Sequence, residues 1–137
     1  MRLAVITSDP APKRSRALDS ADPGAERPLD LVHLARATDG DEALEAELIA
    51  MFARQSQKLG ERLRLPALAR QARADVAHRL RGSALAIGAF AVAQAAGALE
   101  TALESALEGE GEEPHAELAA LETALQAARA AIAELNG

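Results

Sequence analysis

Residues that could carry out chemistry are concentrated around one histidine in the middle of the chain. His78 lies two positions from Val76 and two from Leu80, which belong to an apolar stripe at helical spacing. Because each residue of an α-helix turns by about 100°, His78 is predicted to point away from that stripe, toward solvent. An exposed imidazole offers a nucleophilic ring nitrogen, so His78 is the first candidate for a catalytic residue.

Two neighbours of His78 strengthen this interpretation. Gly82 follows one helical turn later, in a segment that uses alanine at many other positions, although glycine in a helix interior costs about 1 kcal/mol relative to alanine. A position without a side chain leaves space over the ring. Arg81 flanks the ring on the other side and can direct its guanidinium group toward an anion. We therefore expect these three residues to form a site for an anionic group.

A carboxylate from the following helix is predicted to complete this site. If the two helices form a hairpin that turns near Gly88, positions 98–100 lie at the same height as His78. Glu100 is at the edge of the apolar stripe of its helix. Its carboxylate could accept a hydrogen bond from one ring nitrogen and leave the other as the nucleophile.

Helices must position these residues, because composition and pattern both indicate an all-α protein. The 137 residues are 49% hydrophobic, mainly Ala and Leu, with two Phe and neither Trp nor Tyr, whereas a sheet protein would normally contain more β-branched and aromatic residues. Short connections predict an up-down antiparallel four-helix bundle with a short additional N-terminal helix, over residues 29–137. Residues 1–28 contain four of the six prolines and are predicted to be a flexible N-terminal tail.

Cap and turn residues predict where these helices begin and end. Asp39 or Asp41 is expected to cap the second helix. Pro66 suits the first turn of the third helix, which Gly88 is expected to end. The acidic segment 108–114 precedes the last helix and is predicted to be a solvated loop.

One stretch of the sequence is similar to the signature of a known family. Residues 77–84 (AHRLRGSA), followed by 85–89 (LAIGA) and later by 99–100 (LE), resemble histidine phosphotransfer (HPt) domains. The resemblance extends over about residues 29–137. Its main departure is Arg81, where the family usually has lysine. Both side chains are cations, so the charge at this position is retained.

The resemblance implies that His78 accepts a phosphoryl group from the aspartyl phosphate of a receiver domain, or from a histidine kinase system, and passes it to a receiver aspartate in a multistep phosphorelay. The partners would be response-regulator receiver domains and a sensor histidine kinase. Mg²⁺ would be bound by the receiver, and this chain would need no cofactor. The sequence has no Gly-rich phosphate loop and no metal-ligand cluster. This agrees with a chain that supplies only the nucleophile while the receiver supplies most of the catalytic apparatus, because phosphoryl transfer depends mainly on positioning and charge stabilisation. Autonomous ATP-dependent kinase activity is not expected, since no kinase domain fits in the chain.

A docking surface for such partners is predicted on the same helix face as His78. Its expected members are Gln71, Ala74, Asp75 and Leu85. Leu85 is the strongest of these candidates, because an exposed apolar side chain beside a site often marks an interface. The other two histidines, His33 and His115, have no partner at ligand spacing and are expected to be ordinary surface residues.

Composition argues against several other classes of protein. The absence of Cys excludes disulfides, a thiol nucleophile and thiolate metal sites. A net charge of -6 and the scarcity of aromatic residues argue against nucleic-acid binding. No apolar run approaches the roughly 20 residues needed to span a bilayer. We therefore expect a cytoplasmic protein. We also expect it to be a monomer.

Two other functions remain open at this level. A helical adaptor could bind and inhibit a kinase or response regulator without carrying phosphate, although it would have no need of His78 beside the open position of Gly82. A homodimeric hairpin like that of histidine kinases also carries a histidine on a helix. A monomer in solution would count against this second alternative.

Overall fold

A computed structural model describes residues 27–65, 67–106 and 113–136. Five helices follow in order: α1 (Leu31–Ala37), α2 (Glu42–Leu63), α3 (Arg70–Ile87), α4 (Phe90–Ala106) and α5 (His115–Asn136). The described ranges contain no strand, so the prediction of an all-α protein with one short and four long helices is confirmed. None of these helices is long and apolar enough to cross a membrane. The tail predicted for residues 1–28 lies almost entirely outside the described residues.

Side-chain and glycine caps place the ends of three helices. Asp30 begins α1 by accepting a hydrogen bond from the backbone N–H of His33. Asp41, rather than Asp39, caps α2, while Asp39 adopts a left-handed conformation in the preceding turn. Gly88 ends α3 at φ 83°, as predicted, and a Cβ there would also come within 2.8 Å of the Asp30 carbonyl oxygen. Glycine is therefore required for both the turn and the close approach of α1.

The start of the third helix differs from the prediction. The helix begins at Arg70, with Ala69 as its N-cap, and not at Pro66, which lies outside the described residues. The N–H of Leu68 donates to the carbonyl of Leu65, which closes a turn before the helix. Proline is compatible with turns as well as with helix starts, so residue type alone could not decide where the helix begins.

The core is centred on the contact between α3 and α4. Each long helix packs against the next one along the chain, and α5 also contacts α2. Small side chains such as Ala77 and Ala96 are completely buried and let the two central helices approach closely. These helices run in opposite directions. His78 of α3 contacts Glu100 of α4, and Arg81, further along α3, lies beside Gly97, which comes earlier on α4. The hairpin predicted from Gly88 is therefore present.

Helix packing decides which face of α3 is uncovered. On one side, Ser83 of α3 donates a hydrogen bond to Gln55 of α2. On the other side, His78 contacts Glu100 of α4. A strip of α3 between these contacts, which includes His78 and Gly82, remains exposed. The fold thus presents the candidate histidine between two neighbouring helices.

Candidate functional site

His78 is the centre of the site and keeps most of its side chain, 67%, exposed to solvent. Its Nδ1 atom lies 3.0 Å from Oε2 of Glu100. An ionised carboxylate can only accept hydrogen bonds, so this contact fits the ring tautomer that carries its proton on Nδ1 and has the lone pair of Nε2 available. The hydrogen bond predicted between Glu100 and one ring nitrogen is confirmed.

Glu100 is held in position by the core of its own helix. Leu99 and Leu103, on either side of it in the sequence, are fully buried. They fix the rotation of α4 so that Glu100 lies at the edge of the interface with α3, where its side chain is only 16% exposed. A carboxylate in this position loses part of its water and interacts more strongly with the imidazole than an exposed one would.

Arg81 lies on the α4 side of His78, along the surface of α4. Its Cδ and Nε atoms are 3.4 and 3.5 Å from the position that a Cβ of Gly97 would occupy. Arg81 and Glu100 line the same groove, and within the described residues the guanidinium group makes no hydrogen bond or ion pair. We call Arg81, Gly97 and Glu100 the α4 flank of the site.

Sequence reasoning missed Gly97. A Cβ there would meet Cδ and Nε of Arg81 at 3.4 and 3.5 Å, an ordinary contact distance, so this position lies directly beside Arg81 on the surface of α4. A glycine inside a helix rich in alanine was the available signal, because the same energetic cost drew attention to Gly82.

Gly82 opens the other side of His78, as the sequence predicted. Apart from its chain neighbours and the adjacent backbone of α3, no atom of the described residues lies within 4 Å of the position that its Cβ would take. A recess at this point is lined by residues of both α2 and α3, namely Gln55, Lys58, Leu59, Arg79, Gly82 and Ser83. The hydroxyl of Ser83 donates to Oε1 of Gln55 at 3.3 Å, which connects the two helices beside the recess. We call Gln55, Lys58, Arg79, Gly82 and Ser83 the α2 flank.

The residues that α2 contributes were not predicted. Gln55 and Lys58 are exposed polar residues on a long amphipathic helix, and nothing in their spacing distinguishes them from other surface positions. Their relevance depends on how α2 lies against α3, which a pattern within one helix does not reveal.

The predicted docking surface needs one correction. Gln71, Asp75 and Leu85 are exposed, with 41% of Leu85 accessible, and Gln71 Nε2 donates to Asp75 Oδ1 at 3.0 Å. Ala74, in contrast, is only 1% exposed and belongs to the core. It is rotated by about 40° from His78 toward the side of α3 that α4 covers. Ala74 therefore cannot be part of an exposed docking face.

The remaining histidines lie apart from this site. His33 is half-buried rather than fully on the surface, and its ring makes an edge-to-face contact with Phe90, with ring centroids 5.1 Å apart. Its position between α1 and α4 accounts for the burial. His115 is exposed at the start of α5, as expected.

Glu113, the described part of the acidic loop, forms a structural clamp. Its carboxylate accepts hydrogen bonds of 2.9 and 3.2 Å from Nη1 of the buried Arg73 and lies 3.8 Å from Nη2 of Arg70. The hydrogen bond from Arg73 lowers the pKa of Glu113 below its ordinary value. Glu113 is exposed, as expected for a solvated loop, but its carboxylate is held by Arg73 and was not predicted to have a partner. Residues 107–112 lie outside the described part of the chain.

Comparison with known proteins places this arrangement in a family. The family model for the Hpt domain matches residues 47–131, more than half of the chain. The matched range includes His78, Gly82 and Glu100. A search of curated proteins and a search of solved structures each found no match. The chain belongs to the Hpt domain family, whose members carry out histidine phosphotransfer in two-component systems and interact there with receiver domains and kinases.

Proposed function

We propose that this protein relays a phosphoryl group through His78 between receiver-domain aspartates, or from a histidine kinase system to a receiver, in a multistep phosphorelay. The observation that carries the proposal is the hydrogen bond from Nδ1 of His78 to Glu100 on an otherwise exposed ring. It prepares one ring nitrogen as a nucleophile and leaves that nitrogen accessible to a partner protein. Membership in the Hpt family supports the same assignment.

The chemistry requires little from this chain beyond an oriented imidazole. The lone pair of Nε2 attacks the phosphorus of an aspartyl phosphate, so that an N–P bond forms while the acyl O–P bond breaks and its electron pair returns to the aspartate carboxylate. No proton has to leave Nε2, because the ring proton is on Nδ1. The phosphorylated ring carries a positive charge, which the Glu100 carboxylate stabilises across the hydrogen bond. Transfer to the next receiver reverses these events.

The partner supplies the rest of the catalytic machinery. Phosphoryl transfer depends on positioning and on neutralising the charge of the equatorial oxygens. We propose that a receiver domain contributes Mg²⁺ and that Arg81 and the open side at Gly82 complete the site from this chain. Gln71, Asp75 and Leu85, exposed along α3, would form the docking surface around it.

The proposal also retains the predicted organisation of the protein. Residues 29–137 would act as an up-down antiparallel bundle of four long helices with α1 as an additional helix, and residues 1–28 would be the tail. The antiparallel α3–α4 hairpin supports this arrangement. We expect the protein to act as a monomer in the cytoplasm.

Phosphorylation of the purified protein tests the function directly. We would incubate the wild-type chain, His78→Gln and the matched control His115→Gln with phosphoramidate, and then with a phosphorylated receiver domain, and measure intact mass. The wild type and His115→Gln should gain one phosphoryl group that is lost in acid and stable in alkali, and His78→Gln should gain none. A phosphorylated His78→Gln protein would contradict the assignment. No phosphate on the wild type from either donor would favour the adaptor function instead.

A further inference from the structure

The hydrogen bond to Glu100 determines where a phosphoryl group on His78 would project. The external bonds at Nδ1 and Nε2 diverge widely around the five-membered ring. Since Nδ1 faces Glu100 on α4, a substituent on Nε2 is directed away from the α4 flank. The side of the site opposite α4 is the one that faces α2.

Helix geometry places different cations on these two sides. At about 100° per residue, Gly82 and Arg79 are rotated from His78 by about 40° and 100° toward α2, whereas Arg81 is rotated by about 60° toward α4. The observed contacts agree: Arg81 lies against Gly97 of α4, and Arg79 and Gly82 line the recess shared with α2. Arg81 is therefore displaced from the direction in which the phosphoryl group points.

The recess on the α2 flank has the charge and the space for a phosphoryl group. Lys58 and Arg79 both line it, are exposed, and make no hydrogen bond or ion pair with any residue that the structure describes. The hydrogen bond between Ser83 and Gln55 aligns the two helices. Lys58 is three residues beyond Gln55 on α2, so its flexible side chain begins about one helical turn from that contact.

We infer that Lys58, together with Arg79, binds the phosphoryl group of phosphorylated His78 from the α2 flank. The inference rests on the proposed function of His78 as the phosphoryl acceptor. It assigns a phosphate-binding role to a residue outside the helix that carries the histidine. The open space at Gly82 gives the phosphoryl oxygens access to both cations, and two cations are well suited to a group with a double negative charge.

The rate of phosphorylation by phosphoramidate tests this role without a protein partner. In that reaction the N–P bond of phosphoramidate breaks, ammonia leaves, and a bond forms between phosphorus and Nε2. We expect Lys58→Ala and Arg79→Ala each to slow the reaction about two- to five-fold, the range for an exposed charge interaction. Lys58→Arg should keep most of the wild-type rate, and the differences should shrink at high salt, which screens exposed charges.

A control variant and a second measurement distinguish binding of the phosphoryl group by Lys58 from a general effect of positive charge on α2. Arg54→Ala removes another exposed cation of α2 that does not line the recess, and it should leave the rate unchanged. In the phosphorylated protein, Lys58→Ala should also shift the ³¹P resonance of the phosphohistidine, whereas Arg54→Ala should not. Circular dichroism would verify that each variant remains folded.

The outcomes distinguish this inference from the proposed function. If the wild type is phosphorylated and both Lys58→Ala and Arg79→Ala match it in rate and in ³¹P shift, the α2 flank does not bind the phosphoryl group. The same conclusion follows if Arg54→Ala slows the reaction as much as Lys58→Ala does. If the wild type takes no phosphate at all, the proposed function fails and the inference fails with it.

Discussion

The two flanks of His78 differ in how they are built. On the α4 flank, Glu100 is mostly buried and hydrogen-bonded to the ring, and Arg81 lies against Gly97 beside it. On the α2 flank, Lys58 and Arg79 are exposed around an open recess. A hydrogen bond to a largely buried carboxylate fixes the orientation of the ring, whereas exposed cations can adjust to an incoming anion. The comparison suggests that one flank orients the nucleophile and the other receives the phosphoryl group.

The largest expected effect on the rate of phosphorylation comes from filling the open space at Gly82 on the α2 flank. Gly82→Glu should reduce phosphorylation of His78 by phosphoramidate about 100-fold or more, because a carboxylate would occupy the open space and repel the incoming anion. The measurement is the initial rate by intact mass. Gly82→Ala is the matched control and should retain activity, since the new Cβ would meet no atom within 4 Å beyond its chain neighbours and the adjacent backbone of α3. Unimpaired phosphorylation of Gly82→Glu would show that the phosphoryl group does not use this side.

The next largest effect should come from the α4 flank. Glu100→Ala removes the acceptor that keeps the ring proton on Nδ1, and we expect the rate of phosphorylation to fall about 10-fold or more. Glu100→Gln retains an acceptor oxygen without the charge and should be less impaired. Direct ¹⁵N NMR of the imidazole would report the tautomer in each variant. Equal rates for the wild type and both variants would indicate that the ring is oriented by something other than Glu100.

A smaller effect is expected from Arg81. Arg81→Ala should slow phosphoryl transfer from a receiver a few-fold without abolishing it, because an exposed cation contributes about 1 kcal/mol or less. Its effect on phosphorylation by phosphoramidate should be smaller than that of Lys58→Ala. If Arg81→Ala slowed phosphorylation by phosphoramidate more than Lys58→Ala did, the phosphoryl group would be bound from the α4 flank instead. Complete loss of transfer would mean that Arg81 has a more direct role.

The smallest effect on transfer is expected from the clamp at Glu113, which contacts neither flank. Glu113→Gln should leave phosphorylation unchanged but lower the free energy of unfolding by about 1 kcal/mol, because the buried Arg73 loses its charged partner. The expected loss of unfolding free energy is small because the Glu113 side chain is 42% exposed and water screens the ion pair. Thermal melting near neutral pH measures it.

Acid should remove this stabilisation. The pKa of Glu113 is lower in the folded state than its ordinary value of 4.5, so its contribution is present above that value and is lost as the pH falls through the lowered one. The difference in melting temperature between the wild type and Glu113→Gln should therefore disappear on acidification. A difference that stays constant with pH would show that the carboxylate charge is not responsible.

Much of the fold and part of the site could be predicted from sequence because they depend on local rules. The exposure of His78 follows from its position relative to Val76 and Leu80, and the end of α3 follows from the left-handed Gly88. The contact with Glu100 was also predictable, since a tight turn between two helices fixes which positions lie at the same height. Each inference uses the periodicity of one helix or one hairpin.

The errors occurred where a residue's environment depends on a more distant element. Ala74 has nearly the same angular position on α3 as exposed residues, yet it is only 1% exposed, because burial depends on the surrounding elements as well as on the direction of a side chain. The irregular segment before Arg70 shifted the start of α3, because proline suits two kinds of local structure. The ion pair of Glu113 was not predicted because its partner, Arg73, is 40 residues away in the sequence.

The sequence by itself determined the helical class, the outward direction of His78, its hairpin partner Glu100 and the resemblance that pointed to the family. The tertiary structure alone decided that Lys58 of α2 lines the recess at Gly82 and that Arg81 lies along α4. Helical periodicity specifies the direction of a side chain relative to its own helix axis, and a short turn extends this to a neighbouring helix. The placement of α2 beside α3 depends instead on how whole helices pack, which is set by side-chain volumes across the core.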